Sequence, residues 1–129
     1  MTLIVLGPEG TVSHELAARV YGGDIRLAPT IHEIFSMVEQ GLGDGLVPIE
    51  NSEAGGVGAT LDGLLQHHVF ITAELYMPVH HHLAGFTPLD HVTVIYAHPQ
   101  THEQCSRVTN ELKIPVIHTS SNAASAREL

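Results

Sequence analysis

A chain of 129 residues that is 43% hydrophobic is long enough to hide roughly two-thirds of its unfolded surface, which fits one domain or two small lobes. Five Lys and Arg against fourteen Asp and Glu, a net charge of −9, exclude nucleic acid as a partner, because phosphate backbones are held by clustered basic side chains. No apolar run approaches the ~20 residues of a membrane helix and the N-terminus lacks the basic start of a secretory signal, so a cytoplasmic protein without a membrane partner is expected.

In chain order, "TLIVL" predicts a short strand, "GPEGTVSH" a Gly/Pro turn with hydroxyls, and "HELAARVY" a helix with Leu16, Ala17 and Val20 on one face. On a purely structural reading of that turn, Ser13 caps the helix. After the strand-like "IRLA", the segment "PTIHEIFSMVEQGLG" is the clearest helix. Thr30 and Glu33 have capping-box spacing, Ile31, Ile34, Phe35, Val38 and Leu42 follow a 3.6-residue period, and Gly41 or Gly43 can end it.

The unit repeats as strand "LVPI", turn "ENSEAGGVG" and helix "ATLDGLLQHH". Next, "VFITAELYMPVHHHLAGF" is rich in β-branched and aromatic residues and too long for one ordinary strand, so it is expected to run from one lobe into another around Met77 and Pro78. Further on, Val92 to Tyr96 reads as a strand, "AHPQ" as a turn, and "THEQCSRVTNELK" as one helix with Thr101, Cys105, Val108 and Leu112 on a shared face. The lone Cys105 excludes an internal disulfide and reads as a packing residue. "PVIHTSSNAASAREL" begins the unit again, its helix capped by Thr119, Ser120 or Ser121.

Alternating strands and helices predict an α/β fold with parallel sheets. Ligands of such sheets bind beyond the carboxyl ends of the strands, and all four polar turns fall at that edge. With so few cations in the chain, an anion there would be held by helix N-termini, backbone N–H groups and hydroxyls. No Lys follows the glycine-rich turn, so it is not a phosphate-binding loop of the G-x-x-x-x-G-K-[ST] type, and no strand leads into G-x-G-x-x-G. His80 and His82 would share one face of a strand, with His67 and His68 near in sequence, but their spacing matches no established zinc pattern. His98 is placed either to face a ligand or to cap a helix. These residues by themselves describe a two-lobed α/β binder of a small anion.

Together, "LGPEGTVSH", "GLVPIENSEAGGVGATLDGL", "AHPQTHEQC" and "TSSNAASA" resemble, in order and spacing, the catalytic domain of the prephenate dehydratase family from Met1 to Leu129. The resemblance implies a fold like the type II periplasmic binding proteins, two α/β lobes with a cleft between them, residues 1–76 forming the first lobe and 77–129 part of the second. It implies conversion of prephenate, a dianion, to phenylpyruvate, carbon dioxide and water in L-phenylalanine biosynthesis, without metal or other cofactor, and it leaves room for a homodimer. Carried over, it places Thr11 and Ser13, then Asn51, Ser52 and Gly55, then His98 and Gln100, then Ser120 and Ser121 around the substrate, with His81 at a position where the family usually has His.

Val12 stands where the family usually has an aromatic residue, and Asn122-Ala123 where it has Thr-Ala. The family's catalytic threonine, in a Thr-Arg-Phe motif, and its phenylalanine-sensing ACT domain lie beyond the matching stretch. The expectation is therefore a shortened dehydratase with little activity alone and no assigned catalytic residue, His98 being the first alternative acid. The competing reading is a non-catalytic small-anion binding module of the periplasmic-binding type.

Overall fold

The computed structural model describes residues 1–52 and 55–129, and the chain divides into two units, Met1–Val79 and His80–Leu129. In the first, β1 (Thr2–Leu6) lies between β2 (Asp24–Ala28) and β3 (Asp44–Leu46), all parallel, with Leu3 level with both Ile25 and Asp44. Ile4 and Val5, on opposite faces of β1, are both 0% exposed. The continuous apolar run "TLIVL" is therefore the mark of a central parallel strand covered on both sides. Ile4, Ala28 and Ile34 form the core, with Leu6, Met37, Val38 and Val47 packed around them.

Helix α1 (Val12–Val20) begins earlier than its apolar periodicity predicted, and Thr11 rather than Ser13 caps it, accepting from His14 N. Ala17 is buried, whereas Val20 is exposed. Helix α2 (Ile31–Glu39) starts as expected at Thr30, whose Oγ1 accepts from Glu33 N at 3.1 Å. It ends in a Schellman motif: Gly41 has φ 77°, Gly41 N donates to Val38 O at 2.9 Å, and Leu42 N donates to Met37 O at 3.0 Å.

The third strand differs from the expected 46–49. Pro48 cannot donate to a ladder, so pairing stops at Leu46 and extends backwards through Gly45. A Cβ on Gly45 would stand 2.9 Å from Ile34 Cγ2 and Val38 Cγ2, so the glycine permits α2 to lie close on the sheet.

Helix α3 (Gly58–Gln66) packs on α2 at a similar small residue. Gly63 is buried, and a Cβ there would overlap the Phe35 ring. Thr60, 1% exposed, donates its hydroxyl to Pro48 O at 2.6 Å and ties α3 to the end of the sheet. At the far end of α3, the Glu39 carboxylate binds His67 Nδ1 at 2.7 Å and accepts from His68 N at 2.9 Å. The His67 ring lies over Phe35 at 5.7 Å between centroids, and its Nε2 is buried without a partner among the described residues.

Residues 69–86 form no strand despite their β-rich composition, and nearly all are exposed. Strand propensity reports a side chain's fit to a pleated, half-buried surface, and among the described residues no neighbouring strand supplies one.

In the second unit, β6 (Ile95–Ala97) and β7 (Val116–His118) pair in parallel, with Ala97 level with His118. The strand is shorter than Val92 to Tyr96, and a 3₁₀ turn at Leu89–His91 precedes it. The single helix expected after it is two, α4 (Pro99–Gln104) and α5 (Ser106–Leu112), separated at Cys105 with φ −104° and ψ 15°. Thr109 Oγ1 donates back to Cys105 O at 3.3 Å and Ser106 O at 3.1 Å, a competition that bends helices. Cys105 is half-buried and Val108 is 53% exposed, so the predicted apolar face does not persist. Helix α6 (Asn122–Arg127) follows β7. No helix among the described residues is long and apolar enough to cross a membrane.

Two outcomes test this packing. Ala in place of Gly normally stabilises a helix interior by about 1 kcal/mol, but Gly63→Ala is expected to lower the urea midpoint, because overpacking against Phe35 costs about 1–3 kcal/mol. The hydrogen bond from the His68 backbone, then that to His67, holds the Glu39 carboxyl below its ordinary value of 4.5. The stability it contributes is thus present above that ordinary value and is lost as pH falls through the depressed one. Urea denaturation of the parent and Glu39→Gln should differ at neutral pH, and the difference should close on acidification below about 4.5.

Candidate ligand site

At the carboxyl end of β1 the chain turns through Gly7 and Pro8 to Thr11, whose Oγ1 donates to Leu6 O at 2.8 Å and accepts from His14 N at 3.2 Å. One hydroxyl therefore fixes the start of α1 to the strand end. Gly10, at φ 89°, donates its N–H to His14 Nδ1 at 3.2 Å; an accepting Nδ1 is unprotonated, which puts the ring proton on Nε2. Ser13 lies in the first turn of α1, half-buried, with its hydroxyl unpartnered among the described residues.

The adjacent strand sends out the second turn. Val5 is level with Leu46, so the two connections leave one edge of the sheet at the same height. Glu50 and Asn51 (β4) pair antiparallel with Gly55 and Gly56 (β5), which makes the glycine loop a small hairpin. Gly55 has φ 79°, the region that disfavours side chains. Asn51 is half-buried, Ser52 is exposed without a partner among the described residues, and Glu53 and Ala54 lie outside them.

The helix start just after the hairpin is the chemically open feature of this unit. Helices α1 and α2 have side-chain caps, whereas α3 begins at Val57 with none. The carbonyl of Val57 accepts from Thr60 N at 3.1 Å and Leu61 N at 3.2 Å. The N–H groups of Gly58 and Ala59 have no acceptor among the described residues. Unpaired N–H groups at a helix N-terminus, reached through glycines, favour an anion.

The second unit repeats the geometry with side-chain donors. His98 caps α4, its Nδ1 accepting from Gln100 N at 3.1 Å, so its Nε2 carries the proton and remains a donor. The ligand and capping roles considered for His98 are compatible, one for each ring nitrogen. Ser121 is the residue that caps α6, accepting from Ala124 N at 3.0 Å. Thr101 Oγ1 donates to Asn122 Oδ1 at 2.8 Å and joins the first turns of α4 and α6. Gln100 and Ser120 are exposed, and Ser120 borders an open hollow of about 370 Å³ lined also by Tyr96, His118, Thr119 and Glu128.

The pattern did not single out Thr119 as a site residue, nor His102 with His118. Thr119 Oγ1 binds Ser121 O at 3.0 Å and Ser125 Oγ at 2.5 Å, stiffening the turn before α6. His102 Nδ1 and His118 Nε2 lie 2.8 Å apart, with the rings edge to face, so one nitrogen donates and the other accepts. The spacing of four between His98 and His102 signals one helix face; the pairing with His118 has no signal in the sequence.

The histidine run does not assemble. His80 and His82 are exposed outside any strand, and His81 binds Gln104 Oε1 through Nε2 at 2.6 Å. No three metal-binding side chains converge among the described residues. Two of the cations are committed to helix surfaces: Arg19 pairs with Glu15, and Arg107 with Glu111 at 3.4 Å, each one turn along its own helix.

The family profile described as "Prephenate dehydratase" matches residues 3–129. The chain belongs to the prephenate dehydratase family. A bifunctional chorismate mutase/prephenate dehydratase of Stutzerimonas stutzeri is 37% identical over 131 aligned positions, covering 96% of this chain and 36% of that protein. Among solved structures, the prephenate dehydratase of Staphylococcus aureus Mu50 has a TM-score of 0.79 at 21% identity, covering 100% of this chain and 51% of its own, a likeness of fold. The prephenate dehydratase of Arthrobacter aurescens, solved in complex with L-Phe, has a TM-score of 0.64 at 27% identity, covering 100% of this chain and 45% of its own. The chain thus has the α/β fold of this family and spans about a third of the curated relative and half of each solved one.

Because Thr11 caps α1 and grips Leu6 O with the same hydroxyl, Thr11→Val is expected to cost about 1–2 kcal/mol, read as a lower urea midpoint with an unchanged slope.

Proposed function

We propose that this chain supplies substrate-holding elements of a prephenate dehydratase catalytic domain and takes part in the decarboxylating dehydration of prephenate to phenylpyruvate. The observation that carries the reading is the uncapped start of α3: two N–H groups without an acceptor among the described residues, beyond a glycine hairpin, in a family member whose side-chain cations are few. In this reading the N–H groups of Gly58 and Ala59 take a carboxylate of the dianion. Ser13, Asn51, Ser52 and Gly55 surround it, with Thr11 holding the turn; in the second unit, His98 Nε2, Gln100, Ser120 and Ser121 are the groups that the family resemblance assigns to the substrate.

The chemistry asks for orientation and one proton. Loss of carbon dioxide and the ring hydroxyl creates an aromatic ring, so a general acid at the departing hydroxyl gives an acceleration of about 10² to 10⁴. His98, with its proton on Nε2, is the candidate in this chain. The carboxylate that leaves is best oriented without strong stabilisation, since only interactions that strengthen in the transition state speed the step. The proposal includes two periplasmic-binding-type lobes, 1–76 and part of a second in 77–129, and a cytoplasmic setting in aromatic amino-acid biosynthesis.

Calorimetric titration of the chain with prephenate tests the reading, with phenylpyruvate absorbance followed in parallel. Saturable binding is expected. Ser13→Ala and Ser120→Ala should each weaken it by about 2–10-fold, the worth of one hydrogen bond, without shifting the urea midpoint. Neither binding nor product would overturn it. If product forms, its loss in His98→Gln assigns the proton to His98, and its persistence removes His98 from that role.

A further inference from the structure

Of the 11 histidines in the chain, only His102 and His118 meet nitrogen to nitrogen among the described residues, Nδ1 of the first lying 2.8 Å from Nε2 of the second. They come from different elements, α4 and the last position of β7. Their backbones are tied to two adjacent residues: His102 N donates to His98 O at 2.9 Å, and Thr119 N, next to His118, donates to Ala97 O at 3.0 Å. Thr101 Oγ1 also reaches Asn122 Oδ1 at 2.8 Å, joining α4 to the helix that follows β7. The pair is thus placed by contacts within the second unit and does not depend on what lies beside that unit.

We infer that His102 Nδ1 and His118 Nε2 form a two-histidine chelate for a divalent transition-metal ion of the Ni²⁺ or Cu²⁺ class, which clips α4 to β7. Imidazole nitrogens suit such ions, whereas Mg²⁺ and Ca²⁺ take oxygen ligands. With metal–nitrogen bonds of about 2.0–2.1 Å, two ligands at a right angle stand about 2.9 Å apart and two at the tetrahedral angle about 3.3 Å. The 2.8 Å separation fits the right angle, the one that tetragonal Cu²⁺ and Ni²⁺ sites offer.

A nitrogen that binds a metal carries no hydrogen, so the ring that now donates moves its proton to its own other nitrogen. Neutral rings therefore lose no proton. The rings, now edge to face, turn until both lone pairs meet at one point, a side-chain rotation that leaves the backbone bonds intact. Other histidines are engaged differently: His67 Nδ1 by Glu39, His81 Nε2 by Gln104, and Nδ1 of His14 and His98 by backbone N–H groups. Two ligands without a third among the described residues suit a readily exchanged ion, one that braces the turn before α6 and takes no part in the dehydration.

Calorimetric titration of the EDTA-stripped full chain with NiCl₂ tests this. One saturable site is expected, and bound Ni²⁺ should raise the thermal midpoint. His102→Gln keeps an amide that can hydrogen-bond His118 but offers no ring nitrogen; it and His118→Gln should each weaken binding at least tenfold, with circular dichroism unchanged. Replacing the exposed run by His80→Ala with His82→Ala should leave the affinity as in the parent. No saturable binding, parental affinity in His102→Gln, or loss of the site in the His80→Ala, His82→Ala variant would each overturn the proposal.

Discussion

The parallel ladder on either side of β1 is the constraint from which the first unit follows. Its register sets Leu6 beside Ala28 and Val5 beside Leu46, so three strands end at nearly one level and their connections leave by the same edge. Parallel pairing then compels each connection to return over a face of the sheet, which is why helices α1 and α2 start at that edge. Thr11 and Thr30 cap those starts. The second unit uses the same rule on a smaller scale, with Ala97 beside His118 and caps from His98 and Ser121. The gathering of helix starts at one edge is a consequence of strand direction before it is a matter of particular side chains.

Against that background, the treatment of each helix N-terminus is informative. A capped terminus has already committed an N–H to its own protein, whereas an open one needs water or a ligand. Thr11 and Thr30 close the first two starts; Val57 at the start of α3 has no oxygen with which to do so. The buried hydroxyl of Thr60 holds the same helix from within, through Pro48 O. Anchoring and opening are thus separated along α3, the first from a side chain in the helix, the second at its unguarded end. In a chain with a net charge of −9, such backbone donors are a way to attract an anion that adds no cation.

Much of this was legible because the relevant signals are local. The Thr30 and Glu33 spacing, the apolar period and the glycine near the end of α2 all concern a few neighbouring residues, and the helix formed within those bounds. The motifs of the family resemblance are likewise local, and the family profile extends over nearly the whole chain. Ser13 and Thr11 are harder to separate, since both are hydroxyls in one turn and only the backbone decides which becomes the cap. Gly45 carries no sequence signal because its value lies in a contact with Ile34 and Val38 from another element. The break at Cys105 is hidden because the side-chain spacing runs on across it while the backbone does not. Pairings such as Glu39 with His67, or His102 with His118, depend on how helices and strands meet, which no spacing rule encodes.

Residues 69–79 show the other side of that division. Their alternation is as regular as that of any strand in the chain, yet β1 forms a strand and they do not. The difference is in what stands beside them: β1 has two neighbours and two helical covers, while the later segment has no described neighbour. A period of two says which side chains belong on one face, but the free energy of a strand comes from the ladder and the surface it buries.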